Sequence, residues 1–157
     1  MELTPLAPAA RWLFYARAFS GLVFFWAPTS VVAALALTML VPFWTATLCA
    51  LALFLLLFLN SLWYPTLAFE RWGYELRADE LIICRGVLFR SITAIPLGRV
   101  QHVDTRQGPL EQWMALARLQ VYTASGMGAD GVIPGLTIPD AEKLRDELLR
   151  IRGDDGV

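Results

Sequence analysis

His102 is the only histidine in the chain, and Asp104 follows it two residues on. On an extended strand both side chains leave one face, which is the placement a general base and its orienting carboxylate need. A nucleophile would have to come from a neighbouring strand, and Ser91 and Ser125 are the nearest serines in sequence. A lone strand histidine is more ordinarily a polar rim residue, so the expectation is a protein that is not an enzyme. Cys49 falls in an apolar stretch and Cys84 in the charged part of the chain, so they are not expected to reach each other and both read as reduced; neither has a CxxC or CxxH companion, which predicts no metal site and no cofactor.

What must position these residues is unusual in composition. Ala18 to Phe69 is a run of 52 residues without Asp, Glu, Lys, Arg or His. A water-facing element of that length would show a polar face, whereas a bilayer span needs about 20 apolar residues, so the run predicts two crossings joined by a turn. The turn is expected at Pro42, Phe43, Trp44 and Thr45, giving spans from Ala18 to Val41 and from Ala46 to Tyr64, with Pro65 closing the second. Trp12, Phe14 and Tyr15, with Trp63 and Tyr64, supply an interfacial aromatic belt. Pro28 predicts a kink, and Ser30, Ala34, Thr38, Ala46 and Ala50 offer a small-residue seam.

Orientation follows from charge. Arg11 and Arg17 precede the spans, Arg71 and Arg77 follow them, and the tip between has neither Lys nor Arg. The expected arrangement is a multi-pass protein of the bacterial inner membrane with both termini cytoplasmic. The uncharged spans argue against an intramembrane enzyme or a self-sufficient ion-coupled transporter. On this reading residues 1–17 are a cytoplasmic leader with an interfacial stretch, 18–65 the transmembrane hairpin and 70–157 a cytoplasmic domain.

Of the chain's 27 charged residues, 24 lie in that last segment, divided into 11 basic and 13 acidic. Such balance gives no footprint for nucleic acid. Alternation of Trp72, Tyr74 and Leu76 with polar partners predicts a strand, followed by strands at 81–84, 87–95, 100–107, 119–124 and 132–136. A short helical turn is expected at 110–116, opened by Gly108 and Pro109. The chain then reads as one amphipathic helix, capped at Thr137 or Ile138 and ended at Gly153. Ala141, Leu144, Leu148 and Ile151 form its apolar stripe, with an Asp146 and Arg150 pair on the other face. The fold class expected is an α+β membrane protein: a two-helix transmembrane hairpin, then a small antiparallel barrel capped by a C-terminal helix.

The order of these features, and above all Ile95-Pro96-Leu97-Gly98-Arg99-Val100-Gln101-His102-Val103-Asp104-Thr105-Arg106-Gln107-Gly108-Pro109-Leu110-Glu111, resembles the bacterial membrane-anchored PH-like domain proteins, the YdbS-like family. Arg77-Ala78-Asp79-Glu80, Arg85-Gly86, Val121-Tyr122-Thr123-Ala124 and Pro134-Gly135-Leu136 fall in the family's order too. The resemblance implies a PH-like split barrel and a scaffold or interaction subunit, working with a larger membrane protein that carries several copies of the domain. It also implies an alternative, an accessory of envelope transport or antimicrobial-peptide resistance that handles a lipid or peptide. One departure stands out: glycine is expected after the short helix, and this chain has Ala115.

Phosphoinositide recognition uses a basic first hairpin, and the corresponding turn here, Ala78-Asp79-Glu80, is acidic, so that role is not carried over. Arg85, Arg90, Arg99 and Arg106 are scattered positions that fit a solvated surface, or one that faces lipid or a partner. An antiparallel sheet closed by one helix leaves an edge to which an extended segment can add. The candidate interaction surface is therefore Arg99, Gln101, His102, Asp104, Arg106 and Gln107, with the 126–131 loop beside it. The membrane bilayer is one partner, a larger membrane protein the other, and a homo-oligomer stays open.

Overall fold

The computed structural model describes residues 3–124 and 128–154. The chain divides into two compact units, Phe14–Thr66 and the combined segments Met1–Leu13 and Leu67–Val157.

Two helical stretches run through the first unit. Ala10–Gly21 (α1) passes through a π-helical turn, Leu22–Trp26, into Ala27–Leu37 (α2), and after a short connection comes Phe43–Glu70 (α3). Both stretches, Ala10–Leu37 and Phe43–Glu70, are 28 residues long and apolar enough to cross a bilayer. The π turn lies where Pro28 would otherwise leave a gap in the i→i−4 ladder, and the Ala27 amide donates to the Leu22 carbonyl five residues back. The Thr29 hydroxyl donates to the Phe25 carbonyl at 2.7 Å. Phe24, Val31, Leu35, Leu48 and Leu51 are exposed, as lipid-facing side chains should be, whereas Ser30 and Ala46 are buried and Ala34, Thr38 and Ala50 half-buried. The Tyr15 and Thr66 hydroxyls join α1 to α3 at 2.5 Å.

Two proline readings need correction. The turn occupies residues 38–42, and Pro42 starts the second helix instead of centring the bend: its carbonyl accepts from the Thr45 and Ala46 amides. Its missing N–H costs nothing there. Pro65 does not end the second helix, which continues to Glu70. A proline removes one ladder bond, and a long apolar helix in lipid tolerates that loss better than it tolerates unpaired backbone.

In the other unit, Thr4–Pro5 (β1), Gly73–Leu76 (β2), Glu80–Arg85 (β3) and Ser91–Pro96 (β4) make an antiparallel sheet in that order. After a 3₁₀ turn at Leu97–Arg99, Val100–Arg106 (β5), Leu116–Thr123 (β6) and Gly131–Thr137 (β7) make a three-stranded sheet. Residues 4–13, part of the 1–17 stretch read from sequence as a leader, pack with this domain. Thr4 and Pro5 pair with Tyr74 and Gly73, and Leu6, Ala10 and Leu13 are buried. The spacing of those three apolar residues provides one buried face. A proline on a two-residue edge strand also blunts further pairing.

Ile138–Asp154 (α5) closes the chain. Thr137 caps it, its hydroxyl accepting from the Asp140 amide at 3.3 Å, and Ala141, Leu144 and Leu148 are buried. Asp146 pairs with Arg145 at 2.8 Å rather than with Arg150, a choice between exposed cations that less than about 1 kcal/mol decides. Gly153 falls inside the helix, one residue short of its end. Leu81, Ile83, Ile95, Leu119, Val121 and Ile133 form the core, each worth roughly 1.5–3 kcal/mol of burial.

Candidate functional site

β5 carries the candidate surface and lies at one edge of its sheet, paired with β6. A bulge decides which side chains it shows. Val100 sits opposite Thr123 and His102 opposite Tyr122, so Gln101 is the extra residue on β5. The extra residue shifts the phase of alternation: Val100 and Val103 are both buried, while His102, Asp104 and Arg106 share the other face.

Those three form a charged strip. His102 Nε2 is 2.5 Å from Asp104 Oδ1, and Arg106 donates to Asp104 Oδ2 at 2.9 Å. The Arg106 hydrogen bond, first, holds the Asp104 carboxyl below the usual carboxylate range; burial opposes it, and the neighbouring His102 adds further lowering. The His102 ring lies 5.9 Å from that of Tyr122, whose hydroxyl donates to Gln120. With a side chain 66% exposed, His102 faces outward. Ser91 stands opposite Arg85 in the other sheet, so it does not complete a triad, and Ser125 lies outside the described residues. Arg99 is exposed, its backbone carbonyl accepting from the Ala124 amide. Of the 126–131 loop, residues 126 and 127 also lie outside the described residues.

Gln107 has a different job from the strip. Its side-chain amide donates to the Leu116 carbonyl at 2.7 Å, bridging the short helix Pro109–Trp113 (α4) that separates β5 from β6. Glu111, read from sequence only as the end of a motif, is buried within this joint. Its Oε2 accepts from the Gly108 amide at 2.6 Å and from Arg118 at 2.8 Å. A side chain at Gly108 would begin 2.5 Å from that oxygen, so glycine is what lets the carboxylate reach the helix start. Among the described residues no three His, Cys, Asp or Glu side chains gather as metal ligands.

A family model for the bacterial PH domain matches residues 22–152. The chain belongs to the bacterial PH domain family. It is 36% identical over 87 residues to the UPF0699 transmembrane protein YdbS of Bacillus subtilis (strain 168), a match covering 55% of this chain and 53% of YdbS. It is 27% identical over 82 residues to the UPF0699 transmembrane protein YdbT of the same organism, covering 52% of this chain and 17% of YdbT. The chain thus spans about half the length of the first relative and less of the second. No solved structure matches.

This bacterial PH domain is therefore a YdbS-like membrane protein, with two bilayer-length helices between its short first strand and the rest of its sheets and terminal helix. In it, the Gln-Gly-Pro-Leu-Glu motif is a structural joint after β5, while the exposed strip lies just upstream on β5 itself. The pairing of His102 with Asp104 was visible in their spacing. The bulge at Gln101 and the burial of Glu111 were not, since an extra strand residue leaves no mark in composition and a lone glutamate reads as surface.

Proposed function

We propose that this bacterial PH domain is a non-enzymatic, membrane-tethered interaction subunit that works in a complex with a larger membrane protein bearing further PH-like domains. It sits in the inner membrane with both termini cytoplasmic, an orientation supported by arginines at both ends of the hairpin and none at its tip.

The observation that carries the reading is Asn60. It is exposed on α3 one turn before Tyr64, flanked by Leu56, Leu59 and Trp63, and its amide has no hydrogen-bond partner among the described residues. A polar amide on an apolar span gains most when a second transmembrane helix supplies its partner. The charged strip on β5 is then free to engage the partner's soluble part. That strip resembles a docking edge more than a reaction centre, because among the described residues no nucleophile joins its histidine.

The test is purification of the full-length protein in mild detergent. A stoichiometric membrane protein with PH-like domains should be retained, and Asn60→Leu should weaken its retention while leaving the fold intact by circular dichroism. A partner-free monomer in several mild detergents, or an Asn60→Leu protein that retains the partner fully, overturns the reading.

A further inference from the structure

The hairpin between β3 and β4 turns through residues 86–90, Gly-Val-Leu-Phe-Arg, and its tip is apolar. Leu88 is 86% exposed and Phe89 89% exposed, two adjacent large side chains left uncovered by the described residues. Single exposed apolar residues are ordinary, but a pair raised on a turn is a different arrangement.

The turn is fixed, not floppy. Gly86 has φ of 115°, and a side chain there would begin 1.9 Å from the Phe89 carbonyl oxygen, so only glycine permits the bend. Arg71 donates to the Val87 carbonyl at 2.6 Å and ties the loop to the residue that follows α3. Arg85 and Arg90 flank the tip and are exposed. Arg71, Arg90, Trp72 and Gly86 line a cleft of about 340 Å³ at its base, where Glu70 is the acidic member.

An apolar tip flanked by guanidinium groups is complementary to an anionic membrane surface. The rings and branched chains enter the acyl boundary, while arginines stay at the depth of the phosphates. We propose that the 86–90 loop docks on the anionic leaflet from which α3 emerges, with Leu88 and Phe89 inserted and Arg71, Arg85 and Arg90 on lipid phosphates. Charge complementarity favours this occupant over a protein. The tether adds to it, because a loop hydrogen-bonded to the chain leaving the bilayer meets that surface at high effective concentration. Two spans hold the domain at the membrane, and this loop gives it a second contact that fixes which faces remain open.

The test uses full-length protein in nanodiscs, carrying an environment-sensitive fluorophore at Phe89→Cys in a Cys49→Ala background, with Glu142→Cys as an aqueous control and Leu88→Cys as a second tip position. In discs of phosphatidylcholine mixed with phosphatidylglycerol, the tip label should shift to the blue and be quenched by iodide several-fold less than the control. Phosphatidylcholine alone should give a smaller protection, and the double change Arg85→Gln and Arg90→Gln should remove the difference between the two lipids. Tip labels quenched as readily as the control in anionic discs overturn the proposal. So does protection that is equal in both lipids, or that appears only when a partner protein is added.

Discussion

Ala10 packs against Gly135 so closely that a side chain at residue 135 would begin 2.3 Å from the Ala10 Cβ. Gly135 also has φ of 67°, at a bulge where Ala117 and Leu119 of β6 face Leu136 and Ile133 of β7. Both facts forbid a larger residue. Gly135→Ala should destabilise the domain by roughly 2–4 kcal/mol, combining left-handed strain with overpacking. A lower Tm in detergent, read by near-ultraviolet circular dichroism, checks it; an unchanged Tm means the N-terminal segment does not pack there.

That contact also shows where the sequence stops being legible. The membrane helices announce themselves through an uncharged run, and most strands through alternation, because both patterns are averages over many residues. β1 is two residues long and contains Pro5, so it has no period to detect. The bulges at Gln101 and Pro134-Gly135 each add one residue, which reverses the facing of the rest of the strand without altering composition. Pro65 misleads because local preference yields to helix continuity in an apolar run, and Pro42 because a proline suits the start of a helix as well as the middle of a turn. At the candidate surface, His102 and Asp104 could be placed together in advance, but the division of labour between Arg106 on the strip and Gln107 in the joint is set by the fold and not by spacing.

Ala115 adopts φ of 52° after α4, the conformation that glycine takes without strain. The helix therefore ends at Trp113 and does not run on towards Ala117. Ala115→Gly should stabilise the protein by about 0.5–1 kcal/mol, since relief of roughly 1–2 kcal/mol of left-handed strain exceeds the added chain entropy. A rise in Tm checks this, and a fall would show that the unfolded-state entropy dominates.

Glu111 and Arg118 lock α4 to β6, and Arg118 Nε is buried there without an acceptor among the described residues. Glu111→Ala should cost about 2–4 kcal/mol, because it strands both the guanidinium and the Gly108 amide. Glu111→Gln keeps an acceptor and should cost less. Comparing the two by thermal unfolding separates charge from hydrogen bonding; equal losses would leave the charge without a role.

Asp130 fastens the end of the loop to β6, accepting from the Thr123 hydroxyl at 2.7 Å and the Thr123 amide at 2.8 Å. The hydroxyl bond first, then the amide bond, holds its carboxyl below the ordinary aspartate value of 3.8, against a smaller effect of burial. A group whose pKa is lowered by folding contributes stability that is complete above the unfolded value and disappears as pH falls through the folded one. The contribution of Asp130 should stay constant between neutral pH and about pH 5, and its loss should begin only near and below the unfolded aspartate pKa of about 4. Asp130→Asn has no proton to gain in that range, so its Tm should fall less steeply than that of the wild type as the pH drops below this point. Asp104 is lowered by its own Arg106 bond and titrates in the same window, so the slope of Asp130→Asn should shrink without vanishing. Parallel Tm profiles for the two proteins would mean that the Thr123 bonds do not persist in solution.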